Sequence, residues 1–176
     1  MFQAVVDERL FGAYPTFRRG IVIARNIDNH GPSGELEEIL TRTIEQARDN
    51  PLDLKEDPLI LPWLEAHRGF GSNPNKFPPA HCSLLKRVQR PESRIPFINK
   101  VVAVMNHTSI SGILPVGGDD IERAGGSLML TYAEGTETFV PLDAPDTTEN
   151  PVPGEVIYIV KETGQIMCRR WNWRNG

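Results

Sequence analysis

The chain has few cysteines: only Cys82 and Cys168 occur in 176 residues. A chain of this length can bury a core without disulfides or metal, and neither cysteine has neighbours at metal-ligand spacing. Both thiols are therefore expected to be free and either buried or half-buried. Arg169 and Arg170 directly follow Cys168 and could lower its pKa, which leaves a catalytic thiol as the minority alternative there.

Long apolar runs are also missing. No stretch approaches the roughly 18 apolar residues of a membrane span, and residues 1–10 carry Asp7 and Glu8 without a signal-peptide pattern. We therefore expect a cytoplasmic protein with no membrane partner. The length favours a single domain over residues 1–176.

Motifs of several enzyme classes are absent from the sequence. Neither glycine pair belongs to a phosphate loop or a dinucleotide fingerprint, and there is no Gly-x-Ser-x-Gly elbow. The histidines form no metal-binding pair with a glutamate at helical spacing. The sequence therefore predicts no metal and no cofactor. The four histidines are His30, His67, His81 and His107.

Charge is unevenly distributed along the chain. The net charge of −4 argues weakly against a nucleic-acid partner. However, residues 81–100 contain five bases and one acid, and residues 164–176 contain three bases and no acid. These two basic segments could form a phosphate-binding patch, or they could be separate solvated faces.

Helical patterns dominate the first part of the chain. Ser33 can cap a helix that ends at Asn50-Pro51, and similar patterns cover residues 57–71, 79–90 and 97–109. The apolar run 21–24 before them is predicted to be a buried strand.

The second part has the pattern of strands. Alternation or continuous apolar character predicts strands at 128–132, 139–142, 156–160 and 165–173. The fold class is therefore α+β, with a mostly antiparallel sheet or barrel.

Three stretches have unusual chemistry. Residues 70–79 form a proline-rich loop whose Lys76 could grip a phosphate, although the loop could equally be a simple helix connector. Residues 106–109 are polar and precede a glycine-rich loop at 114–120, whose backbone N–H groups could hold an oxyanion. In the blander alternative, these polar side chains cap backbone carbonyls and His107 is a surface residue.

The third stretch is Cys168–Arg174, which is dense in arginine and tryptophan. Arginine binds phosphate or carboxylate at two points, and tryptophan can stack on a base. If the stretch is a regular strand, Arg169, Trp171 and Trp173 share one face, so at most one set of side chains lines a pocket. Alternatively, the tryptophans close the core and the arginines are solvated.

Five segments carry a family resemblance when they are taken together and in order. They are Ile21–Asp28, Phe70–Lys76, Ile98-Asn99 onward, Leu114–Asp119 and Arg169–Trp173. In this combination they resemble the freestanding B3/B4-domain proteins, and the likeness runs from about residue 21 to 173. More distantly, the same stretch is similar to the B3/B4 editing domain in the β subunit of bacterial phenylalanyl-tRNA synthetase. The resemblance implies a β-barrel-like, mostly antiparallel core decorated with about four helices.

The activity that the resemblance implies is hydrolysis of the ester of a mischarged aminoacyl-tRNA, through a positioned water and a backbone oxyanion site. Asn106 falls on a pocket asparagine of the synthetase. Met105 stands where the synthetase has a threonine, and Val116 or Gly117 stands where it has a histidine. The expected catalytic residues are Asn106, His107, Gly117 and Gly118; the expected substrate-binding residues are Asp119, Trp171, Asn172 and Trp173; and the expected tRNA-binding residues are Lys76, Arg169 and Arg170.

The expected partner is tRNA, and an aminoacyl-tRNA synthetase is a second candidate partner. Two other functions stay open. The chain could be a module that binds tRNA or an amino acid without catalysis, or a protein–protein adaptor with an inactive pocket.

Overall fold

The computed structural model describes residues 2–175, apart from the side chain of residue 123. The chain divides into two compact units, and it enters each of them more than once. We call them the sheet unit, formed by Met1–Phe17, Trp63–Pro79 and Gly118–Gly176, and the helical unit, formed by Arg18–Pro62 and Ala80–Gly117. The expectation of one domain over the whole chain stays a prediction.

The sheet unit contains five strands in the spatial order β1-β2-β3-β4-β5. β1 is parallel to β2, and the other neighbours are antiparallel. The strands are β1 (Ala4–Val6), β2 (Leu128–Tyr132), β3 (Val156–Val160), β4 (Ile166–Arg169) and β5 (Arg174–Asn175).

Within residues 2–175 the sheet is open, because β1 and β5 each pair with one neighbour only. A barrel closes through tilted strands with staggered ladders, and edge strands of three and two residues are too short to supply one. The expectation of a barrel-like core is therefore wrong, whereas the α+β class and the mostly antiparallel sheet are confirmed.

Strand β3 is buried on both faces, which explains its continuous apolar sequence. Val156 packs in one cluster with Trp171, and the next residue, Ile157, packs in another cluster with Phe139 and Ile166. Successive side chains on a strand point to opposite faces. The strand predicted at 139–142 is reduced to a single bridge between Phe139 and Glu149.

The helical unit is built on helices α2, α4 and α5. Ser33 caps α2 by accepting a hydrogen bond from the Leu36 backbone N–H, as predicted. Helices were predicted at all four of the longer helical segments, within a few residues of the observed ends. Including two short helices that were not predicted, residues 2–175 form α1 (Glu8–Ala13), α2 (Gly34–Asp49), α3 (Leu61–Gly69), α4 (Ala80–Val88), α5 (Lys100–Gly112) and α6 (Ile121–Ala124).

The prediction of a buried strand at residues 21–24 is wrong. These residues have no regular structure, and Val22 is 93% exposed. A strand requires a neighbouring ladder, and no strand of the described sheet pairs with this run. None of the described helices combines the length and apolar character needed to cross a membrane.

Candidate functional site

Asn106 and His107 are consecutive residues of α5, in the helical unit. Ala103, Ser109 and Ile110 are the buried residues of this helix, whereas Asn106 and His107 are half-buried. Both side chains are therefore accessible enough to contact a solute.

His107 is held by α2. Its Nδ1 lies 2.7 Å from Oγ1 of Thr43, and the Thr43 hydroxyl donates to the backbone carbonyl of Ile39 at 2.8 Å. Thr43 is only 6% exposed, so the ring of His107 is anchored from the interior of the unit. Sequence analysis missed Thr43, although a threonine among the apolar positions of α2 is a signal that a polar partner faces it.

The loop after α5 begins with a conformation that is unusual for its residue. Ile113 has φ of 50°, in the left-handed region that β-branched residues rarely adopt. The Ser109 hydroxyl donates to the carbonyl of Leu114 at 2.8 Å and fastens this turn to the helix. Gly117, farther along, is exposed, and a Cβ there would meet nothing within 4 Å. An oxyanion-binding role for its backbone stays a prediction.

An open cleft of about 480 Å³ lies in the helical unit at the start of α5. Asn99 caps the helix by accepting from Val102 N–H, and Asn29 accepts from Val101 N–H, each at 2.9 Å. The first amides of α5 are therefore already satisfied. The cleft is lined by Asn29, His30, Gly31, Pro32, Phe97, Ile98 and Asn99, and includes no predicted site residue.

In the sheet unit, the arginine-tryptophan segment is a tight hairpin rather than a continuous strand. β4 ends at Arg169, and the next two residues, Arg170 and Trp171, have φ of 46° and 65°. The predicted alternation of faces through Arg174 is therefore wrong. Left-handed backbone costs about 1–2 kcal/mol per non-glycine residue, so surrounding contacts must hold this turn.

Hydrogen bonds to Glu155 stabilise this turn. Its buried carboxylate accepts from Arg169 Nε and Nη2 at 2.9 and 2.8 Å. It also accepts from the Arg170 backbone N–H at 3.1 Å and from Arg170 Nη1 at 3.0 Å. Burial alone would raise the pKa of Glu155, but Arg169 and then Arg170 outweigh it, and the pKa is lowered. The Glu155 carboxylate is thus ionised, and it accepts these hydrogen bonds from groups within the protein.

Arg169 and Trp171, which were predicted to face a ligand, are both buried. Arg169 is 5% exposed, and its Nη1 also donates to Glu149 at 2.6 Å. Trp171 is 2% exposed. Its ring packs in an aromatic cluster, with Tyr14 and Phe17 at 5.0 Å, Trp63 at 5.5 Å and Phe70 at 6.4 Å between ring centroids.

Three other predicted residues, Lys76, Arg170 and Trp173, do come together. Phe77, which sequence analysis did not single out, lies between them. Arg170 Cζ is 3.8 Å from the centroid of the Phe77 ring, and Lys76 Nζ is 5.0 Å from it. Trp173 meets Phe77 edge-on at 4.7 Å and lies 5.0 Å from Arg170 Cζ. We call Lys76, Phe77, Arg170 and Trp173 the cation–aromatic cluster.

The cluster has less free positive charge than its sequence suggests. Arg170 is paired with Glu155, and the neighbouring Arg174 is paired with Asp143 and Glu149. Lys76, by contrast, is exposed. Among the described residues of the cluster, Lys76 is therefore the exposed cation, and it lies beside the half-buried rings of Phe77 and Trp173.

His67 lies beneath the hairpin, fully buried. Neither ring nitrogen has a hydrogen-bond partner of full geometry, although the Asn172 side chain and the Phe77 backbone approach the ring. Burial lowers the pKa of His67 from 6.5 to about 4, because these contacts offset it only partly. His67 is therefore neutral near pH 7. Asn172, a predicted substrate-binding residue, is half-buried beside it.

Gly118 and Asp119 are exposed at the start of the last segment of the sheet unit. Burial raises the pKa of both Cys82 and Cys168 to about 12, and Asp119 adds to the effect at Cys168. A thiolate nucleophile at Cys168 is not supported. The described residues contain no group of histidine, cysteine, aspartate and glutamate able to hold a metal ion.

Comparison with known proteins gives one finding. No curated protein and no solved structure matches the chain. The family model described as the B3/4 domain matches residues 63–176, which include α5, the cation–aromatic cluster and the whole hairpin. The resemblance predicted from the sequence is thereby confirmed, and the chain belongs to the B3/4 domain family.

Proposed function

We propose that this chain hydrolyses the ester of mischarged aminoacyl-tRNA, with His107 as the proton acceptor. The observation that carries the proposal is that Asn106 and His107, consecutive on α5, are both half-buried and that the His107 ring is anchored through Nδ1. Membership of the B3/4 domain family supports it, because the matched region contains both residues.

An aminoacyl ester is already activated, so its hydrolysis does not require a strong nucleophile from the protein. A water attacks the carbonyl carbon while its proton passes to the imidazole of His107. The tetrahedral oxyanion then collapses, the C–O bond to the ribose breaks, and the imidazolium returns the proton to the ribose oxygen. The products are the free amino acid and tRNA. Asn106 would orient the water or substrate, and the Gly117 backbone amide would donate to the oxyanion.

For the RNA, we propose contacts at the cation–aromatic cluster. Its rings can stack on bases regardless of sequence, and Lys76 can meet a phosphate. Arg169 and Trp171 are not part of this proposal. Arg169 is ion-paired with Glu149 and Glu155, and Trp171 is buried among aromatic rings. A synthetase as a further partner stays a prediction.

One observation favours a second candidate, a module that binds RNA without catalysis. Stacking on Phe77 and Trp173 needs no general base. We describe two open clefts, the one at the start of α5 and one of about 520 Å³ at residues 136–138, 140 and 163–165. Neither is lined by Asn106 or His107. The first candidate predicts hydrolysis of the aminoacyl ester, and the second predicts RNA binding without hydrolysis.

The test is a panel of tRNAs charged with matched and mismatched amino acids, following loss of the ester against the spontaneous rate. We expect selective acceleration of one mischarged species and a fall of about 10²–10⁴-fold in His107→Ala. Asn106→Ala should also lose rate. Thr108→Ala, at an exposed position of the same helix, is the matched control. Equal activity in Asn106→Ala, His107→Ala and the control would refute the assignment.

Binding is measured separately, with uncharged tRNA at several salt concentrations. Lys76→Ala should weaken binding and reduce the salt slope by about one. Lys161→Ala, an exposed lysine of the same unit, should change neither. Tight binding with no acceleration across the panel would favour the non-catalytic module.

A further inference from the structure

We infer that Thr43 is a positioning residue that selects the tautomer of His107 and so makes Nε2 its basic nitrogen. The inference rests on the proposed function for its catalytic meaning, but its structural part does not. Both residues lie in the helical unit, 64 positions apart in the chain.

The Thr43 hydroxyl has a single hydrogen to donate. Oγ1 lies 2.8 Å from the carbonyl oxygen of Ile39, which can only accept. One hydrogen cannot serve both neighbours, so both contacts are hydrogen bonds only when the hydroxyl donates to the carbonyl and accepts from His107. Oγ1 lies 2.7 Å from Nδ1 of His107. For that contact to be a hydrogen bond, Nδ1 must carry the proton.

A neutral imidazole protonated at Nδ1 has its lone pair at Nε2. None of the described residues hydrogen-bonds Nε2, so this nitrogen is available to a water. Without Thr43 the ring would lose both its anchor and the preference for Nδ1–H, and Nε2–H is the form that free histidine favours. In that form the outward nitrogen carries a hydrogen and cannot accept a proton.

The anchor differs from a carboxylate in a way that sets the size of the effect. A carboxylate at Nδ1 would both orient the ring and stabilise the imidazolium that forms. A hydroxyl is neutral, so Thr43 orients the ring and stabilises its charged form only weakly. Loss of Thr43 should therefore cost less than loss of His107.

The experiment compares wild type with Thr43→Val, which keeps the shape and removes the hydroxyl, and Thr43→Ser, which keeps the hydroxyl. Long-range ¹H–¹⁵N spectra of histidine-labelled protein above the titration range report the tautomer, and a His107→Gln spectrum assigns the signal. We expect Nδ1–H in wild type and Thr43→Ser, and a shift towards Nε2–H in Thr43→Val. Nε2–H in wild type, or no change in a folded Thr43→Val, would overturn the inference.

Deacylation of the mischarged species supplies the second readout. The rate should fall about 10–100-fold in Thr43→Val, by analogy with groups that orient metal-ligating histidines, with unchanged tRNA binding and recovery in Thr43→Ser. A full rate in Thr43→Val despite the tautomer shift would refute the positioning role. The expected tautomers in a wild type that does not deacylate would refute the proposed function alone.

Discussion

Mild acid should destabilise the sheet unit through His67. Its pKa is 6.5 when the chain is unfolded and about 4 when it is buried. Between these values the unfolded chain binds more protons, so the free energy of unfolding falls as the pH falls. The stability is fully present above pH 6.5 and is lost as the pH approaches 4. From these two pKa values, the loss at pH 5 is about 2 kcal/mol.

The measurement is urea denaturation followed by tryptophan fluorescence at pH 7 and pH 5, for wild type and His67→Leu. Leucine is neutral at both pH values, so the variant should lose about 2 kcal/mol less than wild type between them. Carboxylates with a lowered pKa, such as Glu155, stay ionised over this window. An equal pH effect in the two proteins would refute the assignment of a buried neutral His67.

Two further predictions concern stability. Glu155→Ala should lower the free energy of unfolding by about 3–5 kcal/mol, because it leaves Arg169 charged and buried without its main partner. In urea denaturation, the double replacement of Glu155 and Arg169 by methionine should lower the free energy of unfolding by less than Glu155→Ala does. An equal or larger decrease in the double variant would contradict the prediction. Gly126→Ala should cost about 1–3 kcal/mol, because its Cβ would collide with the Glu162 carboxylate oxygen that accepts the next residue's backbone N–H. Gly117→Ala, with open space around it, is the control, and equal melting temperatures in the two glycine variants would count against the collision.

Local sequence pattern was sufficient where an element is defined by its own residues. Strand β3 was predicted with its observed ends, since five consecutive apolar residues fit a strand buried on both faces. Helices α2, α4 and α5 were predicted from their apolar spacing, with Ser33 as the cap of α2. Pattern failed at residues 21–24, because an apolar run does not show whether a partner strand exists.

The candidate site was harder to predict, because its contacts join distant positions. Thr43 and His107 are separated by 64 residues, and so no local spacing connects them. The hairpin was misread for a different reason. Alternation assumes extended backbone, whereas Arg170 and Trp171 are left-handed and are held there by Glu155 and the aromatic cluster.

The positions of the tryptophans make it possible to measure whether the two units unfold cooperatively. All three tryptophans, Trp63, Trp171 and Trp173, belong to the sheet unit, so intrinsic fluorescence follows that unit alone. Far-ultraviolet ellipticity is dominated by α2, α4 and α5 of the helical unit. Coincident unfolding curves from the two signals would mean that the units melt as one domain. Separate curves would identify two folding units whose segments alternate along a single chain.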